Sequence, residues 1–466
     1  MNPFHQTNNI PTNKFGERWI YVLVLLALVP FLSSLSDPFF WDTIQFAGKH
    51  GLFYYEHGWQ FLPREIDSGH LPFLGFYLAQ CWKLFGMRLA VSHLAMLPFL
   101  LTYMLATKRL SQVISDQNSI WLWVLFLIEP CWLAQSTLVS PDVVLMAGFA
   151  LTTLGFSETN KSALFLGGLL LAFSGNRGAA LICAVILAMS LWNVSKRKEI
   201  PYLLPGLGLF ALYQLFHWFQ LGWIGFHEDM EWAPSFERVG LMGMMKNLGL
   251  VAWRLVDTGR IGLCLVIVYF VIRGSKPLEI LKHPRVILFL STLLILLVLT
   301  LPYQYLTGHR YYMPLYFSLI VLLPIFTKAL MKAKQEFVLI IIGICFLLGH
   351  FLVYPRGVAM GWDSTLAYLP YQDLRKEVIL YLQSKDIDIN STGSAFPNIS
   401  GFRATDLLPD SDEKFKSYEI GKDEYLLYSN VMNDMVDELP KIMDLYEKEE
   451  EWHNGQIECI LFKKKP

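Results

Sequence analysis

Eleven separate apolar runs, most of them close to the length of a membrane-crossing helix, constrain this chain more than any other feature. They fall at 18–35, 88–107, 119–138, 142–157, 162–174, 177–194, 200–222, 249–272, 285–302, 311–328 and 336–353. A crossing needs about 20 mostly apolar residues, and only a helix pairs every backbone polar group inside such a segment. The pattern predicts an α-helical polytopic membrane protein with about 11 transmembrane helices. The first run is too long for the apolar stretch of a leader, and no small-x-small site follows it, so it reads as an uncleaved span. The chain is 54% hydrophobic and only 17% charged, where soluble domains carry about 25%.

The charges orient the spans, because cytoplasmic loops are enriched in Lys and Arg. With the N-terminus inside, the inside segments hold Lys14, Arg18, Lys108, Arg109, Lys161, Lys196, Arg197, Lys198, Arg273, Lys276, Lys282, Arg285, Lys328, Lys332 and Lys334. The outside loops hold only scattered cations, Lys49, Arg64, Arg177, Arg238, Lys246 and Arg310, while Lys83 and Arg88 flank an ambiguous helix. An odd number of spans then puts residues 354–466 outside. That tail carries 13 Lys/Arg against 21 Asp/Glu, which argues against nucleic acid as a partner. Residues 371–384 read as an amphipathic helix, 425–429 and 457–462 as strands, and 431–450 as a helix between them. These suggest a small extracytoplasmic α/β domain. The expected organisation is a transmembrane unit, 1–353, and an acidic outer domain, 354–466. The setting that fits is a bacterial inner (plasma) membrane with a cytoplasmic N-terminus.

The unusual residues collect on the outer side. Loop 36–70 is rich in aromatics and histidine, and the segment 71–86 after it reads as a helix near the outer interface. Asp42, just past the first span, suits either a general base or an N-cap for 43–51. The stretch Asp67-Ser68-Gly69-His70-Leu71-Pro72 is either helix-opening chemistry or a setting for His70 beside a phosphate or sugar. Asp142 stands at a helix start, where capping and substrate binding are both open. Arg254, Asp257 and Arg260 are spaced by three, either as a phosphate site or as a structural network at the outer interface. His309 and Arg310 sit in an aromatic stretch, 303–314, that could hold phosphate or anchor the interface. Glu129 and Asn176-Arg177 are weaker cavity candidates. Cysteines are scattered singly and suggest neither a disulfide framework nor a zinc site. No nucleotide motif or Gly-rich phosphate loop stands out, and no cofactor is expected; a divalent metal stays open, although no ligand cluster supports it.

Taken in order, these stretches form a pattern. Residues 41–51, 69–86, Ser140-Pro141-Asp142 with the following span, and His309-Arg310-Tyr311-Tyr312-Met313-Pro314 resemble the multi-span C-type glycosyltransferases. The likeness is to the protein O-mannosyltransferases and bacterial aminoarabinose transferases, and it covers most of 18–353. The resemblance implies a polyprenyl-phosphate sugar donor and transfer to a glycan, lipid or protein hydroxyl on the outer face. It implies Asp42 as catalytic base, Asp142 as the second acidic residue, His70 near the donor phosphate and Arg310 in an Arg-Tyr-x-x-Pro-like stretch. This sequence departs from the pattern at Thr43, where an acidic residue often stands, and at His70-Leu71-Pro72 in place of His-Pro-Pro. Two other classes explain the spans and buried charges: a flippase or transporter of a lipid-linked or small polar substrate, and a polysaccharide ligase or polymerase. The electrostatic expectation is that His70, Arg310 and one of Arg254 and Arg260 line one cavity with Asp42, because a phosphate at a low-dielectric edge needs fixed positive charge.

Overall fold

The computed structural model describes residues 27–115, 119–227, 233–273, 277–328, 330–352, 362–431 and 435–466, with Val22, Leu25 and Tyr354. Lys14, Arg18, Lys276, most of the first run up to residue 26, and Glu228, Asp229, Glu231 and Trp232 lie outside the described residues.

Helices occupy the apolar runs from 88 onward. Among the described residues two have the length and apolarity of a full crossing, Leu89–Ile114 and His309–Thr327. Two bent pairs raise that number to four. The apolar helices Lys161–Phe173, Asn176–Trp192 and Pro284–Thr300 are shorter. Pro141–Glu158 is buried along almost its whole length and forms the centre of the bundle with Met313–Thr327.

Both bends have local causes. Ser119–Ile128 gives way to Pro130–Ser136 at 61°, because Pro130 has no N–H to continue the ladder. The Glu129 carboxylate caps the second piece, accepting from the Trp132 N–H at 2.8 Å. Leu241–Val256 and Ile261–Arg273 meet at 97°, with Thr258 (φ 46°) and Gly259 (φ 85°) in the left-handed region between them. The run 249–272 is therefore not a straight span. Its first piece is amphipathic: Leu241, Met242, Met245 and Leu248 are exposed, while Asn247, Val251 and Arg254 are buried. That is the pattern of a helix lying along an interface.

The tail holds a five-stranded sheet of β1 (Gly393–Ser394), β2 (Lys416–Ser417), β3 (Tyr425–Ser429), β4 (Tyr446–Asn454) and β5 (Ile457–Lys464). Its order is β2-β1-β3-β5-β4, parallel among β1, β2 and β3, and antiparallel at β3–β5 and β4–β5. Side chains alternate across the sheet. Leu427 and Leu461 pair on the face covered by Val378 and Leu382 of the helix Pro370–Ser384. Leu426, Tyr428, Ile460 and Phe462 bury the other face with Ile442 and Tyr446. With both faces covered, β3 and β5 read as continuous apolar runs.

The expected helix over 431–450 is corrected: among its described residues only Leu439–Leu445 is a regular helix, and 446–454 is β4. Glu and Lys favour a helix locally, but eight register pairs with β5 override that weak preference. The exposed charges of β4 then lie on an edge strand, where they discourage further pairing.

The tail packs onto the loop 36–70. Phe40 stacks on Tyr368 at 4.9 Å, and the Tyr368 hydroxyl meets the Thr137 hydroxyl at 2.6 Å. The Phe39 N–H donates to the Thr405 carbonyl at 2.8 Å. At Gly48 the two parts are so close that an added Cβ would lie 2.2 Å from the Ala404 carbonyl oxygen, so the contact requires glycine.

Candidate active site

The first outer loop leaves the membrane unit through Phe40, whose N–H and carbonyl are both bound by the Thr43 hydroxyl, at 2.8 and 2.6 Å. Between them Trp41 takes a left-handed φ of 58°, an uncommon conformation for an aromatic residue and one that clusters at functional sites. Asp42 follows and opens a π-helical turn, Ile44–Lys49, that continues as the helix His50–His57. No side chain caps this start. The Asp42 carboxylate instead forms a close ion pair with the Arg310 guanidinium.

Arg310 lies in the 3-10 turn His309–Tyr312 that precedes Met313–Thr327. Three carboxylates surround its buried guanidinium: Asp42, Asp363 with Oδ2 3.3 Å from Nε, and Asp142 with Oδ2 3.8 Å from Nη1. Ser140, not Asp142, caps Pro141–Glu158. Asp142 is fully buried and pairs with Arg177 at 2.5 Å. Arg177 also donates to the Arg310 carbonyl at 3.4 Å and stacks on the Tyr311 ring at 4.7 Å. Two arginines thus face three carboxylates. Burial raises the Asp363 carboxyl above its ordinary range, while Arg310 pulls it back down.

Asp42, His70, Arg177 and Tyr311 open onto one cavity of about 240 Å³. Its remaining wall is mainly apolar, with Phe173, Phe226, Leu296, Leu299 and Leu306. His70 is fixed by its turn. Asp67 accepts from the Gly69 N–H at 2.9 Å and from His217 at 2.7 Å, and Gln214 and Tyr213 bind the carbonyls of Gly69 and His70. The Asn176 N–H reaches His70 Nδ1 at 3.4 Å. Gly175, with φ of 95°, permits this approach, since a Cβ there would lie 2.6 Å from Nδ1. Burial first, and then the nearby Arg177 charge, pushes His70 down to about 4. The ring is neutral at pH 7, and with Nδ1 accepting, its proton is assigned to Nε2.

His50, buried behind Phe46, is likewise pushed down to about 4 by burial. Both rings have pKa values below the ordinary 6.5. Between 6.5 and 4 the unfolded chain therefore binds more protons than the folded one, and stability falls as pH drops through that window. Above 6.5 these two groups contribute no slope. Thermal unfolding of purified protein across the window should show this decline, and replacing both histidines by Gln should make it shallower without removing it.

Arg254, Arg260 and His309 are not on the cavity wall, which corrects the expectation of a shared phosphate site. They form a second buried network around Asp257. His309 Nε2 lies 2.6 Å from Asp257 Oδ2, Arg254 3.4 Å from the same oxygen, and Arg260 3.2 Å from Oδ1. Arg260 also binds Glu129 at 2.7 Å and lies 3.6 Å over the Tyr316 ring. The network joins the two helix bends, since Glu129 stands at one and Asp257 at the other. A buried cation surrounded by carboxylates and backbone carbonyls that accept its N–H groups is already compensated within the protein. Arg310 too lies behind Asp42 rather than on the wall, and Arg177 is the cation that faces the cavity.

Sequence reading missed Asp363 in the tail. A signal was present: Trp-Asp followed by a hydroxyl residue occurs at Trp41-Asp42-Thr43 and again at Trp362-Asp363-Ser364. Among the described residues, one group has metal-ligating atoms within 4.8 Å of one another, Glu451, His453 and Glu458 on the β4–β5 hairpin. It is separate from the Asp42 cluster.

No family model matches the chain, and no curated protein does. Among solved structures it is similar to ArnT from Cupriavidus metallidurans in the apo state, with a TM-score of 0.50 and 14% identity over 77% of this chain and 68% of that one. ArnT from Cupriavidus metallidurans bound to undecaprenyl phosphate matches with a TM-score of 0.47 and 13% identity over 74% and 68%. The chain shares the ArnT fold, the multi-span architecture that its outer-loop motifs resemble.

Proposed function

We propose that this protein is an integral-membrane glycosyltransferase that moves a sugar from a polyprenyl-phosphate donor to an acceptor hydroxyl on the outer face. The observation that carries this reading is the single cavity in which a carboxylate, Asp42, faces a cation, Arg177, and a neutral donor, His70, within a mainly apolar wall. Such a wall suits a lipid-linked substrate, and the polar end suits its phosphate. The shared fold and the order of outer-loop motifs support the same class.

The chemistry is one inverting displacement. The acceptor oxygen attacks the anomeric carbon and gives its proton to Asp42. The bond from that carbon to the phosphate oxygen breaks, and its electron pair leaves with the polyprenyl phosphate. Arg177 and the His70 Nε2–H offset the charge that develops on the departing oxygen. Arg310 holds one Asp42 oxygen and so orients the other toward the cavity, and Asp142 holds Arg177. In this reading the apolar segments, the bent run 249–272 crossing at most in its second piece, span a bacterial inner membrane, with residues 1–353 as the transferase unit and 354–466 outside.

The test supplies membranes containing the protein with radiolabelled polyprenyl-phosphate sugars. Label should pass from lipid to an acceptor, and unlabelled polyprenyl phosphate should inhibit the transfer. Movement of intact donor across the bilayer without cleavage of the sugar–phosphate bond would identify a flippase instead.

A further inference from the structure

The tail supplies a residue to the acidic cluster around Arg310, and its surroundings show that it is built in. Asp363 is buried, between the buried Trp362 and Ser364. Its Oδ2 lies 3.3 Å from Arg310 Nε. Gln135 clamps it from the membrane unit, donating to its backbone carbonyl at 2.8 Å and facing Oδ2 at 3.5 Å. Gln135 belongs to Pro130–Ser136, the helix capped by Glu129, and Glu129 binds Arg260. Arg260 binds Asp257, which binds His309, the neighbour of Arg310. Polar contacts, joined by the helix Pro130–Ser136 and by the His309–Arg310 peptide link, thus lead from Asp363 around both helix bends and back to Arg310.

We propose that Asp363 is a positioning residue for Asp42: by binding Nε of Arg310 it shares a guanidinium that Asp42 would otherwise share only with the more distant Asp142. This rests on the reading of Asp42 as the base. Arg310 presents a planar fork of donors, and its orientation is set by how many edges are occupied. With Asp363 on Nε and Asp142 near Nη1, Asp42 receives one edge of a shared cation. Without Asp363, the guanidinium is free to turn its whole charge onto Asp42. Asp42 would then be displaced and less ready to accept a proton. Asp363 is not among the cavity-lining residues, and in this proposal it acts through Arg310.

The experiment uses the full chain in nanodiscs with two readouts. One is transfer from polyprenyl-phosphate sugar. The other is labelling of Asp42 by dicyclohexylcarbodiimide, which adds to protonated carboxyl groups in apolar surroundings, read by peptide mass spectrometry as a function of pH. The charged and titratable groups around Asp42 are Arg310, Asp142, Asp363, Arg177, Tyr311 and His70. Asp363→Asn should lower kcat about tenfold with little change in KM, the size expected for a misplaced reacting group. It should also move the labelling curve of Asp42 to lower pH. Asp363→Glu, which keeps the charge, should recover part of both. In an Arg310→Lys background, which has no Nε edge to share, Asp363→Asn should have no further effect. An unchanged labelling curve in Asp363→Asn, or effects that add in the double variant, would overturn the proposal. If the protein transfers no sugar yet Asp42 labelling depends on Asp363, the coupling stands and the transferase reading falls.

Discussion

Asp42→Asn is expected to lower sugar transfer by about 10²-fold or more, the usual contribution of a positioned base. The amide keeps the size of the carboxylate and can still accept from Arg310, so the loop, its tight Phe40–Thr43 turn and the cavity should persist. Basicity is what is lost. Expression and binding of polyprenyl phosphate should stay near normal, because the cation on the cavity wall is Arg177. Single-turnover transfer measured beside lipid binding separates the two, and near-normal turnover would remove Asp42 from the reaction.

The second large effect concerns stability. Arg260 is fully buried and bridges Glu129 and Asp257. Arg260→Leu would leave two carboxylates with reduced compensation, and breaking a buried pair from one side costs about 3–5 kcal/mol. We expect a pronounced fall in thermal stability in detergent, while the double change Glu129→Gln with Arg260→Leu recovers part of it. A site for substrate would behave differently: stability would hold and donor binding would fail. Measuring both on the same preparation decides between the fold and the substrate as the partner of Arg260.

The membrane character and the position of Asp42 were legible because they depend on local features, run length and a charge at a span end. The strands expected at 425–429 and 457–462 were legible for the same reason, as short apolar runs, the second continuing to Lys464. What the chain does not announce locally is which charges meet. Arg254, Asp257 and Arg260 share a helical spacing, yet the left-handed turn at Thr258-Gly259 bends the helix and directs Arg260 to Glu129, 131 residues away. Arg310 and His309 are neighbours, yet one faces the Asp42 cluster and the other faces Asp257. The acidic run of β4 looks helical until β5 is beside it. Asp363 reaches the site only because the tail docks on the first loop, a contact between residues far apart in the chain.

That docking also orders events in time. Asp42 emerges early in synthesis and Arg310 much later, but Asp363 and the sheet that follows it come after every membrane helix has been made. A ribosome-bound chain therefore carries a partly formed acidic cluster, with Arg310 held by Asp42 and Asp142 alone. The last strand, β5, runs through the middle of its sheet, between β3 and β4. Gly48 itself meets Ala404, in the stretch between β1 and β2. If Asp42 is the base, as proposed, its full set of acidic neighbours is complete only once Asp363 has been made and docked.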